Sequence, residues 1–353
     1  MTQETDVFGT LERFYDAVPR PDARVEQFGE LVLFVRNGAG WPFYARPRLH
    51  GDTPSAADIT AVRNRQRELG LPEAFEWVHE TSPDLLDVAR SAGLEVLLAP
   101  LMVLETAALV PDLPVNGAVI RLLDPHSDGF ARDLAASRAV AQLGFGAPHA
   151  MLSSAGPLSA PGLSTTPGPA GAGLGSVGVG PAGTGVGPGG AGVGPGGAGA
   201  GPGGPGSVGT GAGTSSAGPI TNGSLIVEPA GPAARDAVPP PDAALVEATR
   251  ERLLAGRVTI GVVDSPARGI LATGAVQQVG DVAEIAGVAT LPSARRLGYA
   301  SQLTATLARH ALMHDARLVF LSAGDDDAAR LYSKVGFRRI GTACIAEPAA
   351  APL

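Results

Sequence analysis

Residues 282–313 read VAEIAGVATLPSARRLGYASQLTATLARHALM, and this stretch decides the fold. Its first nine residues form an apolar run broken by one acid, Glu284, which predicts a strand from Val282 to Thr290. Pro292 and Gly298 then interrupt the pattern. From Gly298 to about Met313 the apolar residues Leu303, Leu307 and Ala311 recur every four positions, on one face of a predicted helix. Arg295-Arg296-Leu297-Gly298-Tyr299-Ala300 therefore falls between a strand and a helix. Successive backbone N–H groups and the positive end of a helix dipole make such a junction a site for a pyrophosphate, and Gly298 permits its close approach. An ordinary strand-to-helix turn would carry the same residue types.

Immediately downstream, Leu318 to Ser322 reads as a short strand. It is followed by Asp325-Asp326-Asp327-Ala328-Ala329-Arg330-Leu331-Tyr332-Ser333-Lys334-Val335-Gly336-Phe337, a capped helix from about Asp326 to Val335 closed by glycine. Arg338 to Ile345 forms a last strand. The two motifs, in this order, resemble the signatures of the GCN5-related N-acetyltransferase superfamily. Its pyrophosphate loop reads Gln or Arg, two residues, Gly, one residue, Gly or Ala, matched by Arg295, Gly298 and Ala300. Its second signature runs Asn-x-x-Ala-x-x-Leu-Tyr-x-x-x-Gly-Phe, and Ala328, Tyr332, Gly336 and Phe337 fall in register. Asp325 stands where the family usually has Asn, which keeps the capping role and changes only a side-chain contact to the cofactor.

The resemblance covers about Gly117 to Pro348, apart from an interruption described below, and implies an α/β (α+β) fold. Its sheet would be mixed and mainly antiparallel, flanked by helices. It also implies acetyl-CoA as cosubstrate, an amine of a small molecule or protein as acceptor, and no metal. The pantetheine arm would lie along Val288, Ala289 and Thr290. The pyrophosphate would rest on Arg296, Leu297, Gly298, Tyr299, Ala300 and Ser301, with Arg295 and Asp325 at its margins. In the histone-acetyltransferase branch a glutamate eleven residues ahead of the loop is the general base, the position held here by Glu284. An ammonium with a pKa near 10 must lose a proton before it attacks a thioester; a solvent-facing strand carboxylate is the other reading of Glu284. Tyr332 would protonate the departing thiolate, or else pack in the core. A non-catalytic acyl-CoA sensor is the alternative to an enzyme.

Upstream of this stretch, Val258 to Val263 and Gly269 to Gln277 read as two strands of an antiparallel meander that Val282 to Thr290 completes. They follow a helix from Asp242 to Leu254. The unit starts earlier, with a strand Ala118 to Leu123 and a helix from Asp124-Pro125 to about Gln142. Between these parts lies a different composition: residues 155–219 hold 26 of the 49 glycines, mostly at alternate positions. So little buryable surface cannot offset ordering entropy, and the spacing excludes collagen; a flexible tether is expected. The N-terminal part has strands at Leu31 to Arg36 and Trp41 to Arg46 joined across Asn37-Gly38-Ala39-Gly40. A helix from Ser55 to Leu69, a strand Phe75 to His79, a helix from Ser82-Pro83 to Gly93 and a strand Val96 to Glu105 follow. It mimics the second half of an acetyltransferase fold without a glycine-rich loop at His50 to Ser55. The expected units are thus a companion lobe over 1–112, a first strand and helix over 113–150, a linker over 151–240 and a core over 241–348.

Composition sets further limits. A net charge of -8 offers no basic surface for nucleic acid and favours a cationic acceptor. No apolar run approaches the roughly 20 residues of a membrane span, and Met1 to Asp6 is polar, so the expectation is a soluble, cytoplasmic protein. Cys344, the single cysteine, forms no intrachain disulfide. His310 and His314 share the spacing of a zinc-protease helix, yet Ala311 occupies the place of its glutamate; packing or a C-terminal dipole contact explains them. The acids Asp325 to Asp327 suit a helix start. Deleting Leu158 to Ser216 should leave cofactor affinity and thermal midpoint nearly unchanged, since loop closure costs grow slowly with length. A melting curve and a cofactor titration of the deletion variant check this.

Overall fold

The computed structural model describes residues 2–145 and 229–349; the expected tether lies outside them. The first half holds α1 (Thr2–Ala17), β1 (Ala23–Phe28), β2 (Leu31–Arg36), β3 (Ala45–Pro47), α2 (Ala56–Glu68), β4 (Phe75–Val78), α3 (Leu85–Ser91) and β5 (Leu94–Leu104). Next come β6 (Val119–Leu122), α4 (Phe130–Phe145), α5 (Pro232–Asp236) and α6 (Ala243–Leu254). The chain ends with β7 (Val258–Ser265), β8 (Gly269–Val279), β9 (Val282–Thr290), α7 (Tyr299–Met313), β10 (Leu318–Ser322), α8 (Asp326–Val335) and β11 (Phe337–Pro348). Local signals account for much of this. Ser55 and Asp58 form a reciprocal capping box at the start of α2, and the Asp325 carboxylate accepts from the Ala328 N–H at 2.7 Å to open α8.

Four elements differ from the sequence reading. α1 and β1 have no counterpart in it, because the apolar positions Leu11, Phe14 and Tyr15 make too short a pattern to announce a helix. α4 starts at Phe130 and not at Asp124, since Asp124 to Phe130 is taken up by successive turns, Ser127 N–H to the Asp124 carbonyl and Phe130 N–H to the Ser127 carbonyl. α5 falls within the span 151–240 expected as linker. Its Arg235 is buried and donates to the carbonyls of Arg268 and Ile270 at 2.7 Å, fastening the segment to β8.

All eleven strands join one sheet in the order β1-β2-β3-β4-β11-β5-β10-β9-β8-β7-β6. β5 does not close the N-terminal half on itself, as its sequence position suggested. It lies between β10 and β11, and β11 in turn lies between β4 and β5. Each half therefore lends its last strand to the other. The halves also correspond in detail: β2, β3, α2 and β4 repeat the antiparallel pair, helix and parallel strand of β8, β9, α7 and β10.

α1 packs across the middle of one face, with Leu11, Phe14 and Tyr15 against Val78, Leu101, Val282, Phe320 and Ile345, residues of five adjacent strands. α4 covers Thr273 of β8 on this same side through a 2.6 Å contact from Ser137. α7 and α8 bury their apolar faces on the other side, where Leu303 and Leu307 lie against Gly261 and Gly274. Among the described residues no helix is long and apolar enough to cross a membrane.

Phe320 is 0% exposed and meets Phe14 and Tyr15 edge-to-face at centroid distances of 5.1 and 5.5 Å. Phe320→Ala should destabilise the protein by about 3–5 kcal/mol, measured by urea unfolding.

Candidate active site

The site begins where β9 and β10 part. These parallel strands pair only at Val282, Ala283 and Glu284 against Leu318, Val319 and Phe320. Beyond Glu284 the two separate because β9 carries a bulge: Thr273 and Ala275 of β8 face Ala289 and Ala286, so that Gly274 alone stands opposite both Gly287 and Val288. The extra residue is accommodated at Gly287, whose φ of 64° suits glycine. The ladder to β10 has ended before Val288, Ala289 and Thr290, which leaves their backbone edge to line a cleft of about 440 Å³.

That cleft also takes in Arg295, Arg296, Gly298, Tyr299, Ala300 and Ser301, and from α8 Ala328, Leu331 and Tyr332. Gly298, at φ 78°, is the N-cap of α7, and the first intrahelical bond of this helix is the Gln302 N–H to the Gly298 carbonyl. The N–H groups of Tyr299, Ala300 and Ser301 thus stand at the cleft with no acceptor in the preceding turn, as a helix start requires. They make an electropositive cradle. Two contacts fix it: the Tyr299 hydroxyl donates to the Asn116 carbonyl at 3.0 Å, and Arg295 Nη2 donates to the Gly144 carbonyl at the end of α4. Arg295 is therefore tied to a helix end, whereas Arg296 at φ 64° carries the second cationic side chain of the loop.

Two of the expected binding residues stand apart. Leu297 is half exposed and does not line the cleft, and Asp325 has its carboxylate engaged in the cap of α8. Tyr332 lines the cleft and meets the Phe337 ring at 6.3 Å; burial pushes its phenol up to about 12, so it stays protonated at neutral pH.

Glu284 is no solvent-facing carboxylate. It is 2% exposed on the face that carries α1, and its Oε1 accepts from the Tyr15 hydroxyl at 3.5 Å. Burial, then the Glu284 charge, raises the Tyr15 phenol well above its ordinary value, so this tyrosine too is a hydrogen-bond donor. Around it lie the Arg46 guanidinium, 5.5 Å from the Tyr15 ring and ion-paired to Glu12, and Tyr44, whose hydroxyl donates to the Tyr15 carbonyl at 3.1 Å. These residues, from α1, β3 and the position before β3, were given no role at the site by the sequence reading. Tyr15 and Glu284 are 269 positions apart, and no local pattern pairs them. The histidines at the end of α7 serve that end: His314 Nδ1 contacts the His310 carbonyl at 2.8 Å, and His310 Nε2 contacts Thr259 Oγ1 at 3.2 Å.

Comparison with known proteins bears on the fold. Residues 259–346 match the model of the family described as FR47-like protein. A GCN5-related N-acetyltransferase from Kribbella flavida superposes at a TM-score of 0.54 and 17% identity, over 96% of this chain and 95% of that one. The family match is thus confined to the C-terminal part of the chain, and the overall fold is similar to that of a GCN5-related N-acetyltransferase. The likeness to the Kribbella protein extends through the N-terminal half, outside the family model, and at this identity it speaks for the fold alone. A second superfamily member, from Sphaerobacter thermophilus, aligns at a TM-score of 0.48 and 12% identity, over 94% of this chain and 86% of that one. No curated protein matches the sequence.

Proposed function

We propose that the protein is an N-acetyltransferase that moves the acetyl group of acetyl-CoA directly to an amine. The observation that carries this reading is the opening between β9 and β10, with the bare α7 N-terminus at one end and the buried Glu284 as the last paired residue of β9. In this reading the pyrophosphate accepts from the N–H groups of the Arg296 to Ser301 segment and the pantetheine lies along Val288 to Thr290. The amine arrives from the face carrying α1, and Glu284 takes its proton, directly or through water. The nitrogen then bonds to the thioester carbon, a backbone N–H of Val288 to Thr290 holds the oxyanion, and the C–S bond breaks as Tyr332 protonates the thiolate. Solvent returns the proton to Tyr332 and removes the one on Glu284. Positioning carries much of the rate, since both reactants are held in line.

A covalent acetyl-enzyme is disfavoured by Cys344. This thiol is buried in the sheet between Trp77 and Leu98, and burial pushes it up to about 12, which denies it thiolate character. A lone, buried cysteine also suits the reducing cytoplasm.

Acetyl-CoA binding by calorimetry is the primary test. The wild type should bind, and Gly298→Asp, which sets an anion against the pyrophosphate and strains a left-handed position, should lose at least about tenfold in affinity. Absence of binding by the wild type overturns the reading and favours neither an enzyme nor a sensor.

Kinetics against pH test the roles. Glu284→Gln should lower turnover by about 10²-fold or more, most strongly at low pH where free amine is scarce, with unchanged acetyl-CoA affinity. Tyr332→Phe should slow CoA release while sparing binding. Wild-type rates in both variants would refute the assignments, and CoA binding with no turnover on any amine would identify a sensor.

A further inference from the structure

Charge on the α1 face is distributed unevenly. Three arginines from distant parts of the chain converge on one carboxylate, that of Asp22 just after α1. Arg252 Nε lies 3.0 Å from it, Arg257 Nη1 3.1 Å and Arg36 Nη1 4.0 Å. Arg36 closes β2, whereas Arg252 and Arg257 sit at the end of α6 and its turn into β7. From β2 to β7 there are eight steps in the strand order, roughly 38 Å along a flat sheet. The sheet therefore curls about α1 and brings its two arms together at this point.

Three guanidinium groups and one carboxylate leave an excess of two positive charges in a mostly enclosed place. Arg36 and Arg252 side chains are 6% and 8% exposed, and Asp22 is 18% exposed. Donors remain unused. Arg36 Nη2, Arg252 Nε and Arg257 Nε are buried and make no hydrogen bond, although all three groups stand within ion-pair distance of Asp22, Arg252 through Nε itself. Arg36 is otherwise held by its Nε bond to the Trp41 carbonyl and by the Phe43 ring, 3.9 Å from the guanidinium carbon. Burial, followed by the charge of Arg252, lowers the pKa of Arg36 to about 10, the effect expected where cations are packed with too few anions. Arginines gathered only to join the two arms would need an acid for each, because an unmatched buried charge costs far more than a pair returns.

The position of the cluster relates it to chemistry. Arg252 Nη2 lies 3.5 Å from Oε1 of the buried Gln277, and Gln277 is the direct cross-strand partner of Glu284. Such partners have Cβ atoms about 5 Å apart and point to one face. The unused donors are thus a single side chain removed from the carboxylate assigned to deprotonate the amine. Arg257, 34% exposed, gives the cluster a way to solvent.

We infer that Arg36, Arg252 and Arg257 bind an anionic group of the acceptor, which is accordingly a small amine carrying a carboxylate or phosphate a few bonds from its nitrogen. This rests on the acetyltransferase reading and reverses the expectation, drawn from the net charge of -8, of a cationic acceptor. Guanidinium forks suit both oxyanions, and Gln277 offers the substrate a neutral contact between anion and amine.

Two measurements decide it. Inorganic phosphate, compared with chloride at equal ionic strength, should raise the thermal midpoint of the full-length protein saturably, and Arg257→Gln and Arg252→Gln should abolish the difference. Arg36→Lys serves as a milder variant should Arg252→Gln not fold. With acetyl-CoA present, ω-amino acids of two to four carbons between the charged groups should be turned over at least tenfold more efficiently than their amides and than polyamines. Arg257→Gln should raise KM for the amino acid while leaving kcat and the KM of acetyl-CoA in place, a split that a purely structural ion pair would not produce. No phosphate effect, or equal use of amides and polyamines, overturns the inference. Failure of acetyl-CoA to bind would remove the acetyltransferase reading, and the phosphate titration would still decide the anion site.

Discussion

Everything in this molecule depends on the antiparallel pairing of β5 with β11. The two strands run side by side from Phe337 against Leu104 to Pro348 against Leu94, the longest pairing in the sheet. Each belongs to one half of the chain by sequence and borders the other half in space. Neither half is complete without the exchange, since β10 would otherwise lose its antiparallel neighbour and β4 likewise. The exchange also makes one continuous surface for α1, whose apolar side chains rest on strands of both halves. Hydrophobic burial of this kind has no direction of its own; the ladder supplies the direction.

From that arrangement follows a division of labour between the two faces. The side covered by α7 and α8 presents a helix N-terminus and an open strand edge, suited to a long anionic cofactor with an extended amide arm. The side covered by α1 presents titratable and cationic groups drawn from both arms of the sheet, suited to a small polar molecule. The bulge at Gly287 joins the faces, because it is where the parallel ladder ends and the sheet can be crossed.

Net charge is a poor guide to a site of this kind. The chain carries eight more acids than bases, yet the surroundings of Asp22 hold three arginines for one carboxylate. Solvent and salt screen the outer charges, whereas a cluster enclosed by protein is felt at close range by whatever enters. Local count and burial outweigh the total.

The elements of the C-terminal half were legible in the sequence because their signals are local. Alternation and breakers mark β9 and β10, Asp325 and Gly336 bracket α8, and Gly298 marks the start of α7, so the elements that line the cleft were read from the sequence. Leu297 and Asp325 fall outside the lining of the cleft, since a motif gives positions in order and not the direction of each side chain. The sequence by itself determined most of this chain's strands and helices and the glycine-marked junction between β9 and α7, all governed by neighbours within a few residues. Tertiary structure alone decided which strands adjoin, that Glu284 is buried beneath Tyr15, and that Asp22 gathers Arg36, Arg252 and Arg257. The physical reason is that strand order and ion pairing are fixed by long-range burial and closure, to which spacing along the chain is blind.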